Sequence, residues 1–319
     1  MTKIAKKIAF YLVLGALLVS PLILAELILR QIGLGEPVLY ETNAAYRYAP
    51  RPDQRMQRRR DAWITINESG LRSTEAWRGA AGTKILFVGD SVTWSGTNID
   101  DSGTFPERVC ALIESETGED AVCGNAGVNG YGVDNMVKRL RYGGFADADA
   151  IVAVVLPGDL KRAEASFQGG PWMTRPPPGP FPALWELATH IGYNIMNGLR
   201  GAVHRDDRFD IPVGRESMND LIGVLRRATA AGKTVLLVLS PYEMELAGEA
   251  YRLTPVADTA MKHSGLPYLD MRPAMRKAAE ETAEVDGPLY VDGVHLDYRG
   301  HEIYGREIGR RLIGLGLGR

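Results

Sequence analysis

Three side chains of this 319-residue sequence could together perform acyl transfer: Ser91, Asp292 and His295. Ser91 ends the run Ile85-Leu86-Phe87-Val88-Gly89-Asp90-Ser91, in which β-type apolar residues stop at a glycine and deliver a hydroxyl. A buried parallel strand presents a nucleophile at its carboxyl edge in this way. A serine hydroxyl is a weak nucleophile until a base takes its proton, and a histidine base needs an acid that fixes its tautomer and stabilises the imidazolium. Asp292-Gly293-Val294-His295 supplies both. A spacing of three lets the carboxylate fold back on the ring while the ring projects toward Ser91. None of His190, His204, His263 and His301 has an aspartate three residues before it. The bland reading of Ser91 is a helix cap, which serines often are, and of His295 a satisfied surface histidine; the partners favour the chemical reading. Asp90 reads as a turn residue rather than an acid.

Other motif readings fail on spacing. Asp90-Ser91-Val92-Thr93 follows a strand as an aspartyl-phosphate loop does, but that chemistry needs a second aspartate where Val92 stands. Gly124, Gly127, Gly130 and Gly132 cannot be threaded into a dinucleotide Gly-x-Gly-x-x-Gly pattern. The sequence has no metal-ligand cluster, so the reaction is expected to need neither metal nor cofactor.

Gly89-Asp90-Ser91, the segment Asn125-Ala126-Gly127-Val128-Asn129-Gly130 and Asp292-Gly293-Val294-His295 occur in the order and spacing of a known family. Over residues 64–315 the chain resembles the SGNH or GDSL-type hydrolases, which are esterases, lipases and deacetylases of carbohydrates and lipids. The resemblance implies a triad of Ser91, His295 and Asp292, with the N–H groups of Ser91 and Gly130 as donors to the oxyanion. The family's third motif, Gly-x-Asn-Asp, is altered: the chain reads Leu156-Pro157-Gly158-Asp159, with Gly158 where the asparagine should stand. Asn129 or Gly158 is then a further candidate for the oxyanion hole. The alternatives are a two-donor hole and a slow enzyme, transfer to a sugar hydroxyl instead of water, or lost activity.

The elements that must position these groups follow from periodicity. Strands are expected at 84–88, 121–125, 151–156, 234–239 and 266–269, and helices at 106–116, 134–142, 218–231, 256–263 and 299–313. The alternation predicts an α/β fold: a three-layer α/β/α sandwich on a parallel sheet of about five strands, which the family resemblance makes flavodoxin-like. Ser91, 125–130 and Gly158-Asp159 all follow strands at the carboxyl edge, where open sheets bind ligands. Residues 63–67 alternate as a further strand. The insertion at 166–215 holds a Pro- and Gly-rich run, then an apolar helical stretch at 183–203 with a stripe of Leu184, Leu187, Ile191, Ile195 and Leu199. A lid or substrate wall, a membrane-facing helix and an ordinary core helix all fit it.

Residues 8–25 are an uncharged apolar run of 18, preceded by Lys3, Lys6 and Lys7. That length suffices to cross a bilayer, and the lysines favour an inside amino terminus and an exported domain. A cleaved signal peptide is the alternative, but its apolar core would be shorter and end in small residues. The expected organisation is an anchor at 1–30, a linker or arm at 31–62 and a hydrolase domain at 63–319. Cys110 and Cys123 could be bridged in an exported domain or be two buried thiols. With a formal net charge of −2, 45% hydrophobic and 24% charged residues, the composition suits one sizeable core and gives no sign of a nucleic-acid partner.

The expected activity is a serine esterase at the inner membrane, facing outward, that removes or transfers short acyl groups, acetyl above all, on envelope or exopolysaccharide carbohydrate. A lipid or lysophospholipid esterase is the second reading. A non-catalytic glycan-binding member of a polysaccharide assembly complex is the third.

Overall fold

The computed structural model describes residues 3–59, 62–162, 182–203, 211–281 and 287–318. The run at 169–180 of the expected insertion lies outside the described residues. Helix α1 (Lys3–Gln31) opens the chain and buries none of its residues. Its 29 residues, about 44 Å at 1.5 Å each, make it long and apolar enough to cross a membrane. Pro21 lies inside it, as membrane helices tolerate.

Two short antiparallel pairs follow: β1 (Tyr40–Asn43) with β2 (Arg47–Pro50), and β3 (Gln54–Gln57) with β4 (Trp63–Ile66). The sequence reads 31–62 as an arm without period. Its strands are four residues long, too short for alternation to register, yet Tyr40, Tyr48 and Met56 are buried in the same core as the main sheet. Arg72 bridges β4 to the end of β6, pairing with both Ile66 and Asn125.

The main body runs β5 (Thr83–Val88), α2 (Ser91–Trp94), α3 (Phe105–Thr117), β6 (Ala121–Asn125), α4 (Val133–Tyr142) and β7 (Ala150–Val155). It continues with α5 (Ala183–Val203), α6 (Ile211–Ala230), β8 (Thr234–Leu239), α7 (Glu243–Leu246), α8 (Thr254–Lys262), β9 (Tyr268–Asp270), α9 (Arg272–Glu281) and α10 (Tyr298–Gly314). Five strands form a parallel sheet in the order β6-β5-β7-β8-β9. This is the flavodoxin-like α/β/α arrangement expected from the sequence. Its strands are buried on both sides, which is why they read as continuous apolar runs. Leu86 and Val88 of β5 point into the layer of α4, α6 and α8, and Ile85 and Phe87 into that of α3, α9 and α10.

Strand β9 is displaced from the expected 266–269, and α6 begins seven residues before the expected 218. Helix α9 was not expected: Pro273 and five charged residues obscure its apolar stripe of Met275 and Ala278. Cys110 of α3 and Cys123 of β6 are joined by a disulfide, with Cα atoms 5.9 Å apart.

The chain leaves β5 for β6 on one side and then returns to β7 on the other. The order therefore reverses between β5 and β7, which opens a crevice at their carboxyl ends.

Candidate active site

Ser91 is the first residue of α2, directly beyond β5 at that crevice. The turn into α2 is held by Asp90, whose carboxylate accepts the N–H of Val92 at 2.9 Å. The turn is also tight. A Cβ on Gly89 would stand 2.0 Å from Thr93 Oγ1 and 2.8 Å from the carbonyl oxygen of Val154, so only glycine lets β5 bend there.

His295 arrives from the loop before α10. The main chain closes that loop by a bridge between Tyr290 and Leu296, and the N–H of Glu243 in α7 donates to the carbonyl of Gly293 at 2.9 Å. Within it, Asp292 Oδ1 accepts the N–H groups of His295 at 2.9 Å and Val294 at 3.2 Å, while Oδ2 lies 2.7 Å from His295 Nδ1. His295 Nε2 is 2.8 Å from Ser91 Oγ. Three groups spread over more than 200 residues thus form one hydrogen-bonded chain. Burial pushes the Asp292 carboxyl up, but the N–H bonds and the imidazole outweigh it and hold the group below its ordinary range. Asp292 is the carboxylate and His295 Nδ1 the donor, which leaves Nε2 as acceptor for the serine proton.

Ser91, Asp292 and His295 line an open cavity of about 450 Å³ together with Asn129, Gly130 and Val291. Gly130 has φ +80°, in the left-handed region that glycine adopts freely. Among the described residues, neither its N–H nor that of Ser91 donates to a backbone carbonyl. Both residues belong to the lining of the cavity. The side chain of Asn129 is exposed beside them.

Gly158 is buried in the turn after β7 and is not among the residues lining this cavity. The space beside it is filled: a Cβ there would stand 2.2 Å from the Tyr242 hydroxyl.

Apart from Asn125 and Asp159, which stand in the sequence motifs, sequence reading missed the groups that align these loops. Arg72, buried, donates to the carbonyls of Trp94 at 2.8 Å, Gly96 at 2.6 Å and Ile99 at 2.5 Å, and pairs with Asp101 at 2.9 Å. It thereby shapes the segment carrying Gly96, Thr97 and Asn98, which forms another wall of the cavity. Asn125 ties the β6 loop to α2, donating to Thr93 O at 2.7 Å and accepting from Gly127 N at 2.9 Å. Tyr48 of β2 donates to the carbonyl of Asn129 at 2.6 Å and so supports the turn before Gly130. Arg162 bridges three loops at once: its Nη1 lies 3.2 Å from Asp90, 3.1 Å from Asp159 and 3.3 Å from the carbonyl of Tyr131. Burial, with the charge of Asp90 adding, pushes the Asp159 carboxyl well above the ordinary range, and Arg162 only partly opposes this. No motif announces the contacts of Arg72, of Asn125 with Thr93, of Tyr48 with Asn129, or of Arg162 with Asp90 and Tyr131, since each joins residues distant in sequence.

Fold and site together define a class: an α/β/α protein with a serine–histidine–aspartate chain at the switch point of its parallel sheet. No family model matches the sequence. No curated protein matches it either. Solved structures do resemble it. One is LAE5, an α/β hydrolase from the metagenome of Lake Arreo, Spain, at 16% identity over 75% of this chain and 98% of that one, with a TM-score of 0.49. A second is Axe2, an acetyl-xylooligosaccharide esterase of Geobacillus stearothermophilus, at 16% identity over 73% and 95% with a TM-score of 0.44. A third is CEX, a two-domain esterase active on acetylated mannans, at 14% over 73% and 49% with a TM-score of 0.47.

Proposed function

We propose that this chain is a membrane-anchored serine esterase of the SGNH type that removes short acyl groups, acetyl foremost, from carbohydrate of the cell envelope or an exopolysaccharide. The observation that carries the reading is the unbroken hydrogen-bond chain from Ser91 Oγ through both nitrogens of His295 to Asp292, opening on a cavity. His295 Nε2 takes the hydroxyl proton as Ser91 Oγ attacks the ester carbonyl, and the oxyanion faces the N–H groups of Ser91 and Gly130. Each such donor lowers the barrier by about 3 kcal/mol. Collapse expels the alcohol, which takes the proton from His295. Water then repeats the sequence on the acyl-serine and releases the acid.

The side chains of His295 and Asp292 are 38% and 52% exposed. Such an open site suits a small acyl group on a bulky polar alcohol that stays largely in solvent, and among the described residues it offers no enclosed tunnel for a long chain. The length and apolar composition of α1, the lysines at its start and the Cys110–Cys123 bridge together support a domain outside the cytoplasm, where disulfides persist.

A fluorophosphonate probe tests the site: it should label the wild type and not Ser91→Ala, and unlabelled but folded wild type would overturn the enzyme reading. Hydrolysis of acetyl but not octanoyl p-nitrophenyl esters is expected, and the reverse preference would favour a lipid substrate. A phosphatase reporter fused after Arg319 should be active, and a silent fusion of normal abundance would place the domain inside.

A further inference from the structure

Over its described side chains, helix α5 carries its polarity the wrong way round for a helix on a soluble protein, which turns its apolar stripe to the core and its charges to water. Glu186 is fully buried, with its carboxylate 2.6 Å from Arg58 Nη2 and 2.7 Å from the N–H of Gly35. Burial alone would raise the carboxyl, but His190, Arg58 and the Gly35 N–H hold it at about 2, so it is an ion paired inward. Trp185, Ile191 and Ile195, by contrast, are 54%, 50% and 58% exposed. At about 100° per residue, Leu184, Trp185, Ala188, Ile191 and Ile195 fall in one arc of roughly 120°, centred nearly opposite Glu186.

The start of this helix is tied to α1. Both carboxylate oxygens of Glu26 accept N–H groups of its first turn, from Ala183 and Leu184, each at 2.9 Å. A carboxylate there satisfies orphan donors and complements the helix dipole. Arg30, one turn further along α1, pairs with Glu26 at 2.8 Å. The charged residues Glu26 and Arg30 mark where α1 stops being apolar, the level at which a span leaves hydrocarbon for headgroups.

We propose that the outward face of α5 lies in the surface of the bilayer that α1 spans, as an amphipathic foot with Trp185, Ile191 and Ile195 at the boundary between acyl chains and headgroups. The inference rests on α1 being a membrane anchor. Its occupant follows from continuity: the apolar arc of α5 begins at the exposed apolar surface of α1, through the two Glu26 bonds. The indole of Trp185 suits that depth, where aromatic rings gather. A span alone leaves the domain free to rotate about it. A span with a foot holds the domain in one orientation to the membrane.

The test uses the full chain reconstituted in phosphatidylethanolamine–phosphatidylglycerol vesicles. Because both cysteines are in the disulfide, a single introduced cysteine is the unique site for a nitroxide label. Labels at Ile191→Cys and Ile195→Cys should be relaxed more by oxygen than by a water-soluble nickel complex, as a label at Leu18→Cys in α1 should be. Tyr142→Cys, exposed on α4, should show the aqueous pattern. If the α5 labels match Tyr142→Cys, or are shielded from both reagents, while Leu18→Cys remains in lipid, the foot is overturned and the anchor stands. If Leu18→Cys is itself aqueous, both fall.

Discussion

At the scale of single residues, the roles proposed for Ser91, His295 and Asp292 differ, and so should the losses. Asp292→Asn keeps the shape but stabilises the wrong imidazole tautomer. In a buried triad that change costs about 10⁴-fold. Here the carboxylate is half exposed and water can replace part of its effect, so a fall in kcat nearer 10³-fold is expected by that reasoning. His295→Ala should lose at least as much, and the double variant little more, because the groups act as a unit. Kinetics with p-nitrophenyl acetate check this, and full activity in Asp292→Asn would remove it from the site. Gly158→Asn would be the natural way to restore the altered motif, but its Cβ meets the Tyr242 hydroxyl. It should lower the melting temperature without raising turnover, and a faster enzyme would show that Tyr242 moves aside freely. Arg162→Gln should cut kcat about tenfold or more with little change in KM, since Arg162 joins the loops of Ser91, Gly130 and Asp159 without lining the cavity; tenfold corresponds to about 1.4 kcal/mol of lost alignment. Arg162→Lys should recover part of the loss, and a change confined to KM would contradict the positioning role.

At the scale of elements, α3 carries a titration that the fold must accommodate. Glu107, in its first turn, is largely buried and accepts a hydrogen bond from Ser73 Oγ at 3.1 Å. Burial raises its carboxyl to about 7, with Asp101 and Glu75 adding to the rise. The folded state therefore holds a proton that the unfolded chain releases near the ordinary value of 4.5. The stability linked to that proton is complete below about 4.5 and is lost as pH rises to about 7. Glu107→Gln, which mimics the protonated form, should match the wild type at pH 4 and exceed it at pH 8 by up to about 3 kcal/mol. Urea titrations at the two pH values read the difference, and equal stabilities at pH 8 would contradict the burial argument.

At the scale of the whole molecule, the Cys110–Cys123 bridge closes a loop of modest length, with a sequence separation of 13. Loops near this size contribute about 3 kcal/mol by restricting the unfolded chain. The Cys110→Ser/Cys123→Ser variant should melt lower by roughly 5 to 10 °C, as expected for a change of that size in a domain this large, and a reductant should have the same effect on the wild type only. A wild type indifferent to reductant would separate the bridge from stability.

Much of the protein could be read from order along the chain. The runs at 84–88, 121–125 and 234–239 match their strands within a residue because both faces of a parallel sheet are buried and leave no polar alternation to confuse the reading. The serine, histidine and aspartate that the structure brings together were legible because their signals are local: a strand ending in Gly-Asp-Ser, and an aspartate three residues before a histidine. Tertiary structure alone decided that Ser91 and His295 meet at 2.8 Å, since the strand order and the turn at Gly89 bring them there. It also decided that the segment 31–62 supports Asn129 through Tyr48, that Tyr242 fills the space beside Gly158, and that α5 turns Glu186 inward. Those outcomes depend on side chains from distant segments sharing one small volume, and periodicity along a chain contains no term for that.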